Sequence, residues 1–88
     1  MSKVIESIER QQGGCKAVGT VVLHGNGKYF LVDTANTPDH GPETMVFSYD
    51  KKTETVTKWS DLYAEWYGSM NDALLKHEEI IANLEKYL

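Results

Sequence analysis

The sequence predicts an α+β fold: a four- or five-stranded antiparallel sheet, with one long C-terminal helix packed on a face and a short N-terminal helix at an edge. Three observations carry this reading. Apolar runs at 17–24 and 28–33 flank Gly25-Asn26-Gly27, and apolar runs around an Asn-Gly pair are the strongest local hairpin signal. Two further β-prone runs, 43–49 and 54–59, are joined by the polar stretch Asp50-Lys51-Lys52-Thr53. From Ser69 onward, apolar residues recur every three or four positions, the period of an amphipathic helix.

Taken in order, Val4, Ile5 and Ile8 share one face of a short helix over about 3–12, capped by Ser2 and ended by Gly13-Gly14. Alone such a helix is marginal, so it has to dock on something. The two runs that follow form the first hairpin, with glycine supplying the positive φ of the turn. Thr34 to Pro42 reads as a loop, because two prolines and a glycine block regular structure. Polar loops held by a hairpin on each side are a common place for binding residues. Residues 43–49 and 54–59 are the third and fourth strands, and consecutive strands with short turns pair antiparallel as a meander. Residues 60–68 fit either a fifth extended segment or a short helix capped by Ser60, and the extended form is preferred. Ser69-Met70-Asn71-Asp72 has capping-box spacing, with Asp in place of the usual Glu. The helical stripe then runs Met70, Ala73, Leu74, His77, Ile80, Ile81, Leu84 and Leu88, opposite Lys76, Glu79, Asn83 and Lys86.

Eighty-eight residues are enough for a single domain over 1–88, with a small core. The net charge is −4, and the nine basic residues are scattered through the sequence. That argues against direct nucleic-acid binding, which wants a basic stripe along the phosphate backbone. An acidic surface instead suits a partner with a basic patch. One cysteine, Cys15, allows no internal disulfide. With no secretion signal and no long apolar run, the expected location is the cytoplasm, with no membrane partner.

No catalytic signature emerges. His77-Glu78-Glu79-Ile80-Ile81 begins like a zinc-protease helix but lacks the second histidine four residues on. His77 therefore reads as a core histidine bonded to backbone. His24-Gly25-Asn26-Gly27-Lys28 superficially resembles a phosphate loop but lacks its spacing and joins two strands. His24, Asp39 and His40, with Asp33, are near in sequence and form an alternative small-ligand set; their spacing demands no metal. The stronger signal is aromatic. Tyr49, Trp59, Tyr63, Trp66 and Tyr67 crowd into nineteen residues, with Glu65 among them. So small a core cannot easily bury them all, and Tyr and Trp anchor protein interfaces. These six are the candidate partner-binding residues.

Glu43-Thr44-Met45-Val46-Phe47, Val56-x-x-Trp59, Tyr67 before Ser69, and Ala73-x-x-x-His77-Glu78 form an ordered set over roughly 43–82. That set resembles small uncharacterised accessory proteins encoded by phages and prophages. The family has no assigned activity, so the resemblance carries over no functional residue and no cofactor. It implies a protein acting in the cytoplasm of a host bacterium. Together the readings point to a non-enzymatic binding protein that modulates, by inhibition, a host bacterial protein such as a defence or nucleic-acid-processing enzyme. A protein sequestering a nucleotide or signalling molecule is the alternative, and a homodimer through a helix face or sheet edge is a further expectation.

Overall fold

A computed structural model describes residues 3–12, 15–25, 27–37, 41–57 and 62–88. The order is β1 (Lys3–Gln12), β2 (Cys15–Leu23), β3 (Tyr29–Thr37), β4 (Gly41–Asp50), β5 (Thr55–Val56), β6 (Tyr63–Trp66) and α1 (Met70–Ala82), then a 3-10 turn at Leu84–Lys86. The class is α+β as the sequence predicts. The strands form one six-stranded sheet in the order β1-β2-β3-β4-β5, with β6 also on β4, and every pairing is antiparallel. Among the described residues, no helix is long and apolar enough to cross a membrane.

The predicted N-terminal helix is instead strand β1, paired along its length with β2. The physical reason is a bulge. The register shifts between Val4 and Glu6, so Ile5 is an extra residue. Val4 stands opposite Val22, whereas Ile8 stands opposite Gly19 on the other face. The bulge breaks the period of two, and apolar residues at 4, 5 and 8 then imitate a helical stripe.

The predicted loop 34–42 is mostly strand. Asn36 pairs with Pro42 and Thr37 with Gly41, and residues 38–40, including Asp39 and His40, lie outside the described residues. The buried Thr34–Thr44 pair, with hydroxyls 2.7 Å apart, draws the strands together beyond the apolar core. The fourth strand is shorter than predicted. Glu54 is not in it but closes the turn with a φ of 56°. Trp59 lies outside the described residues.

The extended reading of 60–68 holds for Tyr63–Trp66, but β6 returns to β4 rather than continuing the meander. Tyr49 pairs with Val56 and Val46 with Tyr63. Three steps along β4 thus match seven along the edge, and residues 58–61 lie outside the described residues. Main-chain bonds from Thr57 to Ser48, Leu62 to Val46 and Tyr67 to Pro42 extend the pairing on each side of them.

Helix α1 starts where its cap predicts. Ser69 Oγ accepts from the Asp72 backbone N–H at 3.2 Å. It stops at Ala82, short of the predicted stripe, and Leu88 is exposed. Ile80 and Leu84 pack on Val22, Phe30, Val32 and Val46 to make the core. Burial of each large aliphatic side chain is worth about 1.5–3 kcal/mol. This core fixes which sheet face is covered and which is left open.

Candidate functional site

Alternate residues of each strand point to opposite faces. The face turned toward α1 carries Val22, Val32 and Val46, together with Thr20, Thr34 and Thr44. On the opposite face the pairing aligns Glu6, Val21, Leu31 and Phe47 in one row. Ile8, Gly19, Asp33, Met45 and Ala64 form the next row, and Leu23, Tyr29, Tyr49 and Val56 another. Glu43 and Trp66 stand beyond them.

This second face is largely apolar, and among the described residues no element lies over it. Val21 and Phe47 are buried within it, flanking Leu31 in their row, while Ile8 is 49% and Trp66 58% exposed. An antiparallel sheet with one face in water ordinarily makes that face polar. Here the apolar side chains, with Glu6, Asp33 and Glu43 among them, leave hydrophobic surface of the kind that interaction sites use.

The patch is dented. Glycine at position 19 leaves a notch of about 130 Å³, walled by Glu6, Ile8, Val21, Leu31 and Tyr49. A glycine inside a strand often marks the close approach of another group. The phenol of Tyr49 is pushed up by burial and then by the charges of Glu54, Glu6 and Asp50. The rim near it is therefore negative, whereas the floor is hydrocarbon.

The six sequence-predicted partner residues do not gather in one place. Tyr49 and Trp66 lie on the open face, and Trp59 is outside the described residues. Tyr63, Glu65 and Tyr67 lie on the other side, beside α1. The Tyr63 hydroxyl donates to Glu65 Oε2 at 2.9 Å, and its ring meets Tyr87 edge-on at 4.8 Å. Lys76 sits 5.1 Å over the Tyr87 ring and bonds Glu79 at 2.9 Å. The hydroxyls of Tyr67 and Tyr63 hold the Glu65 carboxyl below its ordinary range. Burial, and then the Glu65 carboxylate, push the Tyr67 phenol up; its hydroxyl is buried and, among the described residues, meets no partner at hydrogen-bond geometry. These side chains clamp β6 to the end of the helical region.

His77 is 1% exposed and is bonded to side chains, not to backbone as the sequence suggested. Its Nε2 is 2.8 Å from Thr20 Oγ1 and its Nδ1 2.7 Å from Thr34 Oγ1. Thr34 meets Thr44 at 2.7 Å, Thr44 donates to the Ala73 carbonyl at 3.3 Å, and Ser7 meets Thr20 at 3.0 Å. One donated proton fixes the rest. With the Thr44 hydrogen on Ala73, Thr34 donates to Thr44 and accepts from His77 Nδ1–H. A neutral ring then accepts at Nε2 from Thr20, and Thr20 accepts from Ser7. Burial lowers the pKa of His77, which keeps the ring neutral, and Glu78 acts weakly the other way. So enclosed a ring offers no approach for a substrate; the network ties α1 to three strands. The threonines gave no signal beyond their alternation.

Of the alternative ligand set, His24 packs edge-on to Phe30 at 6.1 Å, while Asp39 and His40 lie outside the described residues. Among the described residues, no three His, Cys, Asp or Glu side chains converge as metal ligands would. Comparison with protein-family models, curated proteins and solved structures finds no match.

Proposed function

We propose that this is a non-enzymatic binding protein that docks a protein partner on the open sheet face and modulates it. The observation that supports this most is the largely apolar face, with Ile8 and Trp66 exposed and no described element above it. The negative rim and net charge of −4 favour a partner with an apolar centre flanked by basic groups. The notch at Gly19 is sized for one side chain, because drug-sized ligands need roughly 300–1,000 Å³. The phage-type resemblance makes that partner a bacterial host protein, and inhibition of a defence or nucleic-acid-processing enzyme is the modulation we advance.

The test is stoichiometric capture from bacterial lysate by the tagged protein and three variants. Trp66→Ala and Ile8→Ser should each weaken capture of the same protein at least about tenfold, the scale of an interface anchor. Leu75→Ser, on the exposed outer side of α1, should leave it intact. Equal loss in all three, or no loss in the first two, sinks the reading. Sedimentation that shows a homodimer abolished by Ile8→Ser would assign the face to a second copy instead.

A further inference from the structure

The notch at Gly19 is not lined by hydrocarbon alone. By their register, all its lining residues stand on the open face of the sheet. Val21 and Leu31, a cross-strand pair, supply its hydrocarbon. Ile8 stands opposite Gly19 on the β1 side, and Tyr49 stands on β4, one row past Leu31 the other way. Glu6, opposite Val21, is exposed and sets a carboxylate on the wall. Its charge acts on the Tyr49 phenol, so acid and ring flank one opening.

Among the described residues, Glu6 makes no ion pair and no hydrogen bond. Lys3 stands opposite Leu23 beyond the bulge, and Arg10 opposite Ala17, two rows from Glu6. Asp33, directly across from Gly19, adds negative potential to the same edge but already has an interaction. A partner seated on this face covers Glu6. An apolar group placed there strips water from the carboxylate and leaves it unpaired, which is costly. The entering group therefore has to bring hydrocarbon for the notch and positive charge for the acid. Lysine and arginine both bury an apolar stem behind a charged head. Arginine fits better. Its planar guanidinium takes a carboxylate through two hydrogen bonds and lies against aromatic faces, and Glu6 and Tyr49 offer one of each.

We infer that the notch receives an arginine side chain of the partner protein. The stem lies along Val21 and Leu31 beside Ile8, and the guanidinium meets Glu6 and rests against Tyr49. Gly19 leaves the room for it, because a side chain at that position, between Ile8 and Asp33, stands in the notch itself. This inference rests on the protein-docking reading and names the residue that the partner presents.

The experiment is an amide and methyl NMR titration of the full chain with the blocked tripeptide acetyl-Leu-Arg-Leu-amide, and separately with its citrulline and lysine counterparts. Citrulline keeps the shape of arginine and removes the charge. The arginine peptide should shift signals of Glu6, Ile8, Val21, Leu31 and Tyr49 saturably. It should bind at least about tenfold more tightly than the citrulline peptide, and tenfold is about 1.4 kcal/mol. Glu6→Gln should remove that preference, and Gly19→Val should abolish the shifts. Glu78→Gln, on an exposed position of α1, should leave both intact. Absence of saturable shifts at the notch, equal binding of the arginine and citrulline peptides, or equal weakening by Glu78→Gln overturns the inference. Lysine binding as tightly as arginine overturns the arginine assignment. Capture from lysate that is lost in Trp66→Ala and Ile8→Ser but kept in Glu6→Gln and Gly19→Val overturns this inference and leaves the docking reading standing.

Discussion

His77 favours the fold only while it is neutral. Its folded pKa is lowered from 6.5 by burial, so below that pH the unfolded chain takes up a proton that the folded chain refuses. Stability therefore falls as pH drops below 6.5, levels off beneath the folded pKa, and is unaffected by this group at higher pH. Urea midpoints for the wild type should fall between neutral and mildly acidic pH by more than those of His77→Leu. Equal falls in the two proteins would contradict the assignment of a neutral ring. Thr34→Val removes the acceptor of Nδ1–H and the donor to Thr44, leaving both buried; the expected cost is about 1–3 kcal/mol by urea unfolding. The sequence placed His77 on the inner stripe but could not name its partners. Thr20, Thr34 and Thr44 sit in strands as β-branched residues ordinarily do, and only the fold reveals that their hydroxyls converge.

At the scale of elements, legibility followed regularity. Helix α1 was readable because its cap and its period agree, and its N-cap carries a direct prediction. Ser69→Ala should cost about 0.5–2 kcal/mol in chemical denaturation, by orphaning the Asp72 backbone N–H. Strand β1 was misread because the extra residue at Ile5 disguises its alternation, a signal that exists only relative to β2. Strands β3 and β4 were read short because Thr34, Asn36, Thr37 and Pro42 resemble a loop until the pairing of the two strands holds them. The turn at 51–54 offers a further check. Glu54 holds a left-handed backbone that costs an L-residue roughly 1–2 kcal/mol. Glu54→Gly should therefore leave the melting temperature unchanged or raise it, and a clear fall would contradict the turn geometry.

Across the whole molecule, one face of the sheet meets α1 and the other meets nothing described. That asymmetry could not be read from the strands alone. Runs such as Phe30-Leu31-Val32 are apolar on both sides and do not say which side is covered. The aromatic cluster pointed to surplus hydrophobic surface, but the fold divides it: Tyr63 and Tyr67 brace β6, while Tyr49 and Trp66 border the open face. Leu31 and Met45, which sequence reasoning passed over, lie in the middle of that face. The most direct test is methyl-resolved NMR of the protein bound to the partner it captures. Docking on the open face predicts that Ile8, Val21, Leu31 and Met45 methyl signals shift or broaden, while those of Leu75 and Leu84 do not. Perturbation confined to Leu75 and Leu84, with the open-face methyls unmoved, would contradict the account.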